Sequence, residues 1–303
     1  MGIGLLRKAR SVPATSLGVC CAYDPGVLTM TTRKASILAT AFCALVSLAA
    51  ISRAQTTDAE DAAARAERWK ALQEAIFGDR KVQDGSGVIE LDVPPRALDA
   101  ALVPVSLQLA GKKPIKGVYL VIDNNPSPLS AHFVFGPRAD PRVLQVRVRV
   151  DEYTLMHAVA EGQDGKLYLA EKFVKAAGGC SAPAGFSEEQ ALQEMGRMKL
   201  RLIGDFAAGK PLQAQLMIRH PNFNGMQMNQ ITRFYTPARF IRSTEVTYDG
   251  SRIFHLDSDI SMSTDPVIVF GFVPPARGTL KVAIQDSDDA TFAHSFDVPQ
   301  PPG

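Results

Sequence analysis

From Val88 onward the chain is cut into short apolar-rich runs of strand length, with turn signals between them. In the first block the runs are Val88–Val93, Leu102–Leu109, Gly117–Ile122, Ala131–Phe135, Val143–Val150, Thr154–Ala160 and Leu167–Val174. Pro94-Pro95, Asp123-Asn124-Asn125-Pro126, Gly136-Pro137 and Asp164-Gly165 punctuate them. Seven short strands at this spacing read as an antiparallel sandwich. Val146-Arg147-Val148-Arg149-Val150 alternates strictly, which gives one apolar face and one charged face carrying Arg147 and Arg149.

A second β-rich block follows: Met198–Ile203, Leu212–Arg219, a hairpin over Glu245–Asp257 turning at Asp249-Gly250, Val267–Val273, Thr279–Gln285 and Thr291–Val298. Each block holds about 100 residues, enough for its own core. Two helices complete the expectation. Ala62, Ala66, Trp69, Leu72, Ile76 and Phe77 lie at helical spacing within 58–77, and Gly78 stops the run. Covering an edge or end of a sandwich is the expected task of that helix. Ser187-Glu188-Glu189-Gln190 reads as a capping box opening a short linker helix through about Met195. The fold class expected is all-β, two sandwiches in tandem. The boundaries are 58–180 for the first domain, 181–197 for the linker and 198–299 for the second.

Residues 1–54 read as a leader. Arg33 and Lys34 precede an uncharged, mostly apolar stretch from Ser36 to Ile51, and Ser52-Arg53-Ala54 offers small residues at a cleavage site. The pattern is that of a secretory signal over 30–54, cut after Ala54. Met30 is the expected start of translation, with residues 1–29 upstream of it. The apolar stretch is short for a membrane span and runs directly into polar sequence, so no membrane attachment is expected after cleavage.

Cleavage changes the charge and the cysteine count. The whole chain has 33 Lys/Arg and 31 Asp/Glu. Six of the bases (Arg7, Lys8, Arg10, Arg33, Lys34, Arg53) and one acid (Asp24) belong to the leader, which leaves 27 and 30 and a net charge of −3. The positive balance thus disappears, and with it any electrostatic case for nucleic acid. Cys20, Cys21 and Cys43 also leave, so Cys180 stands alone in an exported chain and has no internal partner for a disulfide.

Cys180 lies within Lys175-Ala176-Ala177-Gly178-Gly179-Cys180-Ser181-Ala182-Pro183-Ala184-Gly185, a stretch almost without side chains. Such a segment has little apolar surface to offset its ordering entropy, so residues 176–185 are expected to be solvated and irregular, presenting a reactive thiol on an arm. Five residues at ~3.3 Å each give that arm a reach of about 15 Å. Lys175 is the nearest cation in sequence, so activation of the thiol is expected to come from partners. A cysteine hydrolase would need a histidine beside the nucleophile. His132, His157, His220, His255 and His294 fall mostly within strand-like runs, away from the arm in sequence. No CxxC and no metal-spaced histidine pair occurs, so neither a metal nor a cofactor is expected. Asp286-Ser287-Asp288-Asp289 lacks the glycine and terminal glutamate of a calcium loop and reads as a hairpin turn.

Leu102-Val103-Pro104-Val105-Ser106, Asn125-Pro126-Ser127-Pro128-Leu129-Ser130-Ala131, Asp164-Gly165-Lys166-Leu167-Tyr168 and the terminal Gly178-Gly179-Cys180 together resemble SoxY, the sulfur-carrier subunit of thiosulfate oxidation. Arg219-His220-Pro221, Tyr248-Asp249-Gly250, Ile253-Phe254, Gly278-Thr279-Leu280 and the acidic 286–289 run resemble SoxZ, its companion. The order matches the fused SoxYZ-like carriers that accompany quinoprotein dehydrogenases. The resemblance implies two immunoglobulin-like sandwiches that pair within one molecule, in the periplasm. It implies a non-catalytic protein that carries sulfur intermediates on Cys180, with Gly178, Gly179 and Ser181 as the arm. The partners implied are Sox-type enzymes, c-type cytochromes or a quinoprotein dehydrogenase. Two departures stand out. Ser181-Ala182-Pro183 replaces the two glycines and chain end that follow the family's cysteine, so the arm is tethered at both ends. Arg33-Lys34 is not a twin-arginine pair, which suits general secretion of a chain that needs no folded companion.

Overall fold

The computed structural model describes residues 61–299 apart from 112, 183–187 and 230–231. The chain divides into two compact units, Met1–Asp61 and Ala62–Gly303, and the described strands all belong to the second. The expected leader with its cut after Ala54, the start of the first helix, the Ser187 cap and Pro183–Gly185 of the arm lie outside the described residues.

Helix α1 spans 61–77 and ends at Gly78, whose φ of 62° is the left-handed conformation that closes a helix. The strands of the first half are β1 (Val82–Asp84), β2 (Ile89–Asp92), β3 (Val103–Leu109), β4 (Ile115–Ile122), β5 (Leu129–Phe135), β6 (Ala139–Val148), β7 (Thr154–Gly162) and β8 (Leu167–Val174). Helix α2 (Glu188–Glu194) follows. Then come β9 (Met198–Ile203), β10 (Leu212–Ile218), β11 (Ile241–Tyr248), β12 (Ser251–Ser258), β13 (Val267–Phe272), β14 (Gly278–Asp286) and β15 (Thr291–Val298). The β11–β12 hairpin turns at Asp249 and Gly250, both at positive φ (46° and 78°), as an Asp-Gly hairpin turn requires.

The two expected sandwiches are present, but they do not meet as separate bodies. Nine strands form one sheet in the order β1-β8-β7-β4-β5-β12-β11-β14-β15, and six form the other in the order β2-β3-β6-β13-β10-β9. Each sheet passes from the first half into the second through an antiparallel pair. In the larger sheet His255 faces Val134 and Leu256 faces Phe133 across β12–β5; in the smaller, Val269 faces Gln145 and Phe270 faces Leu144 across β13–β6. Joining two sandwiches edge to edge satisfies four strand edges that would otherwise be left open.

The core is correspondingly continuous. Fully buried side chains of both halves, from Val103, Leu120 and Phe133 to Phe254, Phe270 and Val282, belong to one cluster. Aromatic contacts cross the seam, with Phe133 and Phe254 ring centres 5.6 Å apart and Phe254 and Phe270 at 5.1 Å. Alternation explains this placement. Along β3 the residues Val103, Val105, Leu107 and Leu109 are buried while Pro104 and Gln108 are exposed.

Two features differ from the sequence expectation. Strand β1 is short and pairs in parallel with β8, the one parallel ladder in an otherwise antiparallel arrangement of the described strands. Helix α1 covers a face of the larger sheet instead of an edge or end. Trp69 stacks on His157 at 3.8 Å, and Phe77 meets Tyr119 edge-on at 5.1 Å. Phe77, Val159 and Leu167 form a small second cluster beneath the helix. The chain then leaves α1 directly into β1, so the edge is closed by the strand and the face by the helix.

Candidate functional site

Cys180 follows β8 by six residues. Lys175 pairs with Arg96, and residues 176–182 have no regular structure. That part of the expectation holds; the solvated, freely reactive arm does not. Cys180 is 0% exposed. Its segment is held by four hydrogen bonds to its surroundings. Gly178 N–H donates to the Asp151 carbonyl at 2.7 Å and Gly179 N–H to the Val150 carbonyl at 2.9 Å. Asn224 Nδ2 donates to the Cys180 carbonyl at 2.6 Å and Gln227 Nε2 to that of Ala182 at 3.1 Å. Ser181 is exposed, its hydroxyl turned back to donate to the Gly178 carbonyl at 3.4 Å.

The physical reason lies in what the glycines do. A Cβ on Gly179 would stand 2.0 Å from the Ala100 carbonyl oxygen and 2.6 Å from that of Val150. Gly178 adopts φ 75°, which side-chain-bearing residues rarely adopt. The absence of side chains permits close approach of the segment to the ends of β6 and the 96–101 loop. It gives intimate packing here, where the sequence suggested freedom.

The seat draws on both halves. Asn125, in the β4–β5 turn, donates from Nδ2 to the Arg149 carbonyl (2.8 Å) and to Ser261 Oγ (2.9 Å), while its Oδ1 accepts the Asp151 N–H (3.0 Å). This fixes residues 149–151, against which the arm docks. From the second half, Asn222 holds its own loop by donating to the Ser263 carbonyl (2.9 Å) and accepting the Ile241 N–H (3.0 Å). Two residues on, Asn224 reaches Cys180.

Arg149 is the residue that alternation misplaced. Alternation places it on the charged face of the strand; it is 2% exposed. β6 ends at Val148, and the Arg149 N–H bonds the Ser261 carbonyl at 2.7 Å, so the side-chain rule of the strand no longer applies. The guanidinium donates from Nη2 to Thr264 Oγ1 (2.6 Å) and to the Asn222 carbonyl (3.3 Å), both uncharged, and its enclosed Nε has no acceptor among the described residues. Burial lowers the pKa of Arg149, opposed by the nearby Cys180 and Asp99. Burial pushes the Cys180 thiol up to about 12, with Asp151 acting in the same direction and Arg149 against it. Docked, the thiol is protonated at neutral pH and is a poor nucleophile.

The other candidates serve structure. His157 is fully buried between Trp69 and Asp123, with Nε2 3.1 Å from Asp123 Oδ2. His220 Nδ1 accepts the Asn222 N–H at 3.1 Å, and burial lowers its pKa. The 286–289 run forms the β14–β15 turn, where Asp286 accepts Arg239 Nε at 2.9 Å and the N–H groups of Asp288 and Ala290. Among the described residues no group of three or more His, Cys, Asp and Glu is arranged to hold a metal ion, and no helix is long and apolar enough to cross a membrane. Sequence reading missed Arg149, Asn222, Asn224, Gln227 and Thr264. The polar run after Pro221, which has no strand or helix period, was the available signal for three of them.

Comparison with known proteins gives two adjacent matches. Residues 73–180 match the model of the sulfur oxidation protein SoxY, and residues 201–297 match that of the sulphur oxidation protein SoxZ. The first match ends on Cys180. No protein of curated function matches the chain. Among solved structures, similarity extends to a β-glycosidase from Bacteroides vulgatus (9% identity, TM-score 0.22, covering 69% of this chain and 24% of that one). It also extends to a mixed-linkage glucan utilization locus protein, SGBP-B, from Bacteroides ovatus (12%, TM-score 0.19, covering 69% and 47%). The chain thus spans from about a quarter to about half of their lengths.

Proposed function

Since the chain belongs to the SoxY and SoxZ families of sulfur-oxidation proteins, joined in one polypeptide, we propose that it is a covalent carrier whose attachment point is the Cys180 thiol. The observation that carries this reading is the coincidence of three things at one residue. The SoxY match ends there, the leader-free chain has no other cysteine, and residues of both halves build a seat around it. Thiolates attack sulfur, and the resulting S–S bond is reversed by the same exchange, which is the chemistry a carrier needs.

Burial of the thiol adds a step to the mechanism. In the docked state the sulfur is enclosed and protonated, so loading and unloading proceed from an undocked state in which Gly178, Gly179, Cys180 and Ser181 leave the seat. Four backbone-directed hydrogen bonds hold the irregular segment, and opening such an element costs far less than unfolding the domain. Partners then supply the activation of the exposed thiol. The domains proposed are 58–180, carrying the arm, a linker over 181–197, and 198–299. The protein acts in the periplasm after removal of a signal ending at Ala54, without turnover of its own. Its partners are Sox-type enzymes, c-type cytochromes or a quinoprotein dehydrogenase.

A second reading draws on the burial itself: a β-sandwich scaffold in which Cys180 is an incidental core residue. Cys180→Ser separates the two. A hydroxyl forms no persulfide or thiosulfonate, so in a carrier the substitution abolishes complementation of a deletion strain in sulfur-dependent growth. If the serine chain complements as well as the parent, the scaffold reading stands and the carrier reading falls.

A further inference from the structure

Arg149 is an anomaly on its own terms. A guanidinium removed from water is strongly disfavoured unless an anion or a full set of acceptors faces it. Arg149 is 2% exposed, has no ion pair with a carboxylate among the described residues, bonds only neutral oxygens and leaves its Nε without an acceptor. It also shares its surroundings with the thiol. The arm's Gly179 is bonded to the carbonyl of Val150, the next residue, and the 222–224 loop that accepts Arg149 Nη2 through the Asn222 carbonyl also grips the Cys180 carbonyl through Asn224. Among the described residues Arg149 lies within electrostatic range of the Cys180 thiol and favours its ionised form.

We propose that Arg149 is a positioning residue that holds the anionic oxygens of the group carried on Cys180, so that an oxyanion-terminated cargo stays docked where a neutral one is released. The proposal rests on the carrier reading. A thiosulfonate, Cys–S–S–SO3−, places its sulfonate sulfur two bonds beyond the Cys180 sulfur, with a negative charge spread over three acceptor oxygens one bond further, and any two of these oxygens suit the edge of a guanidinium. The resting thiol, being neutral, leaves the cation uncompensated; loading supplies the missing anion. Asp151 and the exposed Asp99 lie within electrostatic range of the thiol and of Arg149 respectively, so the preference is set by the net field and is modest, not absolute.

The test uses the full chain with Cys20, Cys21 and Cys43 replaced by Ser, so that Cys180 is the single thiol. Tetrathionate loads the anionic group: the Cys180 thiolate attacks an inner sulfur, a Cys–S bond forms, the central S–S bond breaks, and thiosulfate leaves with the electron pair. Methyl methanethiosulfonate loads the neutral control Cys–S–S–CH3 with loss of methanesulfinate. Both are made at alkaline pH and verified by intact mass. The reading is the rate at which dithiothreitol releases each adduct from folded protein, divided by the rate for the same adduct in denatured protein. In the parent the thiosulfonate is protected about tenfold more than the methyl disulfide, the scale of one charge-assisted hydrogen bond. In Arg149→Gln the two adducts are protected equally, and in Arg149→Lys part of the difference survives. An undiminished difference in Arg149→Gln overturns the proposal, as does equal protection in the parent, which decides the matter even if Arg149→Gln fails to fold. The carrier reading fails separately, if protein from its host never bears an adduct on Cys180.

Discussion

Two of the contacts between the halves are built on opposite principles. At the seam, β5 pairs with β12 and β6 with β13, and the rings of Phe133, Phe254 and Phe270 fill the space between the sheets. At the arm's seat, the residues that meet are glycines, backbone carbonyls and the amides of Asn125, Asn224 and Gln227. Apolar burial is broad and nondirectional, and ladder hydrogen bonds close it. A handful of polar contacts to a segment without side chains is specific in geometry and small in energy. The contrast fits the proposed roles: the seam makes one permanent molecule of two sandwiches, and on the carrier reading the seat is a place the arm occupies and leaves.

Breaking the seam gives the largest effect. Phe254→Ala removes a fully buried ring that touches both Phe133 and Phe270, and costs about 3–5 kcal/mol. A fall in the urea midpoint of both halves together, followed by fluorescence and far-UV dichroism, checks it; separate transitions would mean that the seam does not couple them.

Breaking the seat acts on access more than on stability. In Gly179→Ala the new methyl meets the Ala100 and Val150 carbonyl oxygens, so the arm undocks. Maleimide labelling of Cys180 in folded protein is expected to rise tenfold or more while stability changes by less than about 1 kcal/mol. Asn224→Ala removes one hydrogen bond to the arm, worth about 1 kcal/mol, and raises the same labelling rate about fivefold.

The smallest effect is the pH response of the loop beneath the seat. Burial holds the His220 pKa below its ordinary value, and its Nδ1 must be unprotonated to accept the Asn222 N–H. The imidazole is neutral in the folded state and charges more readily in the unfolded chain. Its contribution is therefore present above about pH 6.5 and is lost as pH falls from there through the folded pKa. The urea midpoint should drop between pH 7 and pH 5, and drop less in His220→Gln. His132, also lowered by burial, adds to the parent slope in the same direction.

The same contrast explains what the sequence made legible. Alternation reports burial wherever a strand is paired on a core, and β8, β9 and β15 begin and end at the residues the pattern marks. It is silent beyond a strand's end. Arg149 continues the alternation of β6 by one step after the ladder has stopped, and the pattern assigns it to the charged face although it is buried. Small residues carry two meanings, freedom and close approach, and Gly178-Gly179-Cys180 could be read for the first because the partners that demand the second, Ala100, Val150 and Asn224, are distant in sequence. β1, three residues in parallel with β8, has too few positions to show a period.

The central claim is that Cys180 leaves its seat to be loaded and returns with its cargo. Intact-mass measurement of the protein isolated from its host under sulfur-oxidising growth, before and after reductant, tests it most directly. A carrier gives a mass increment of one or more sulfur atoms, with or without sulfonate oxygens, located on the Cys180 peptide and removed by reductant. A bare thiol at Cys180 in every such preparation, with no mass change on reduction, would contradict it.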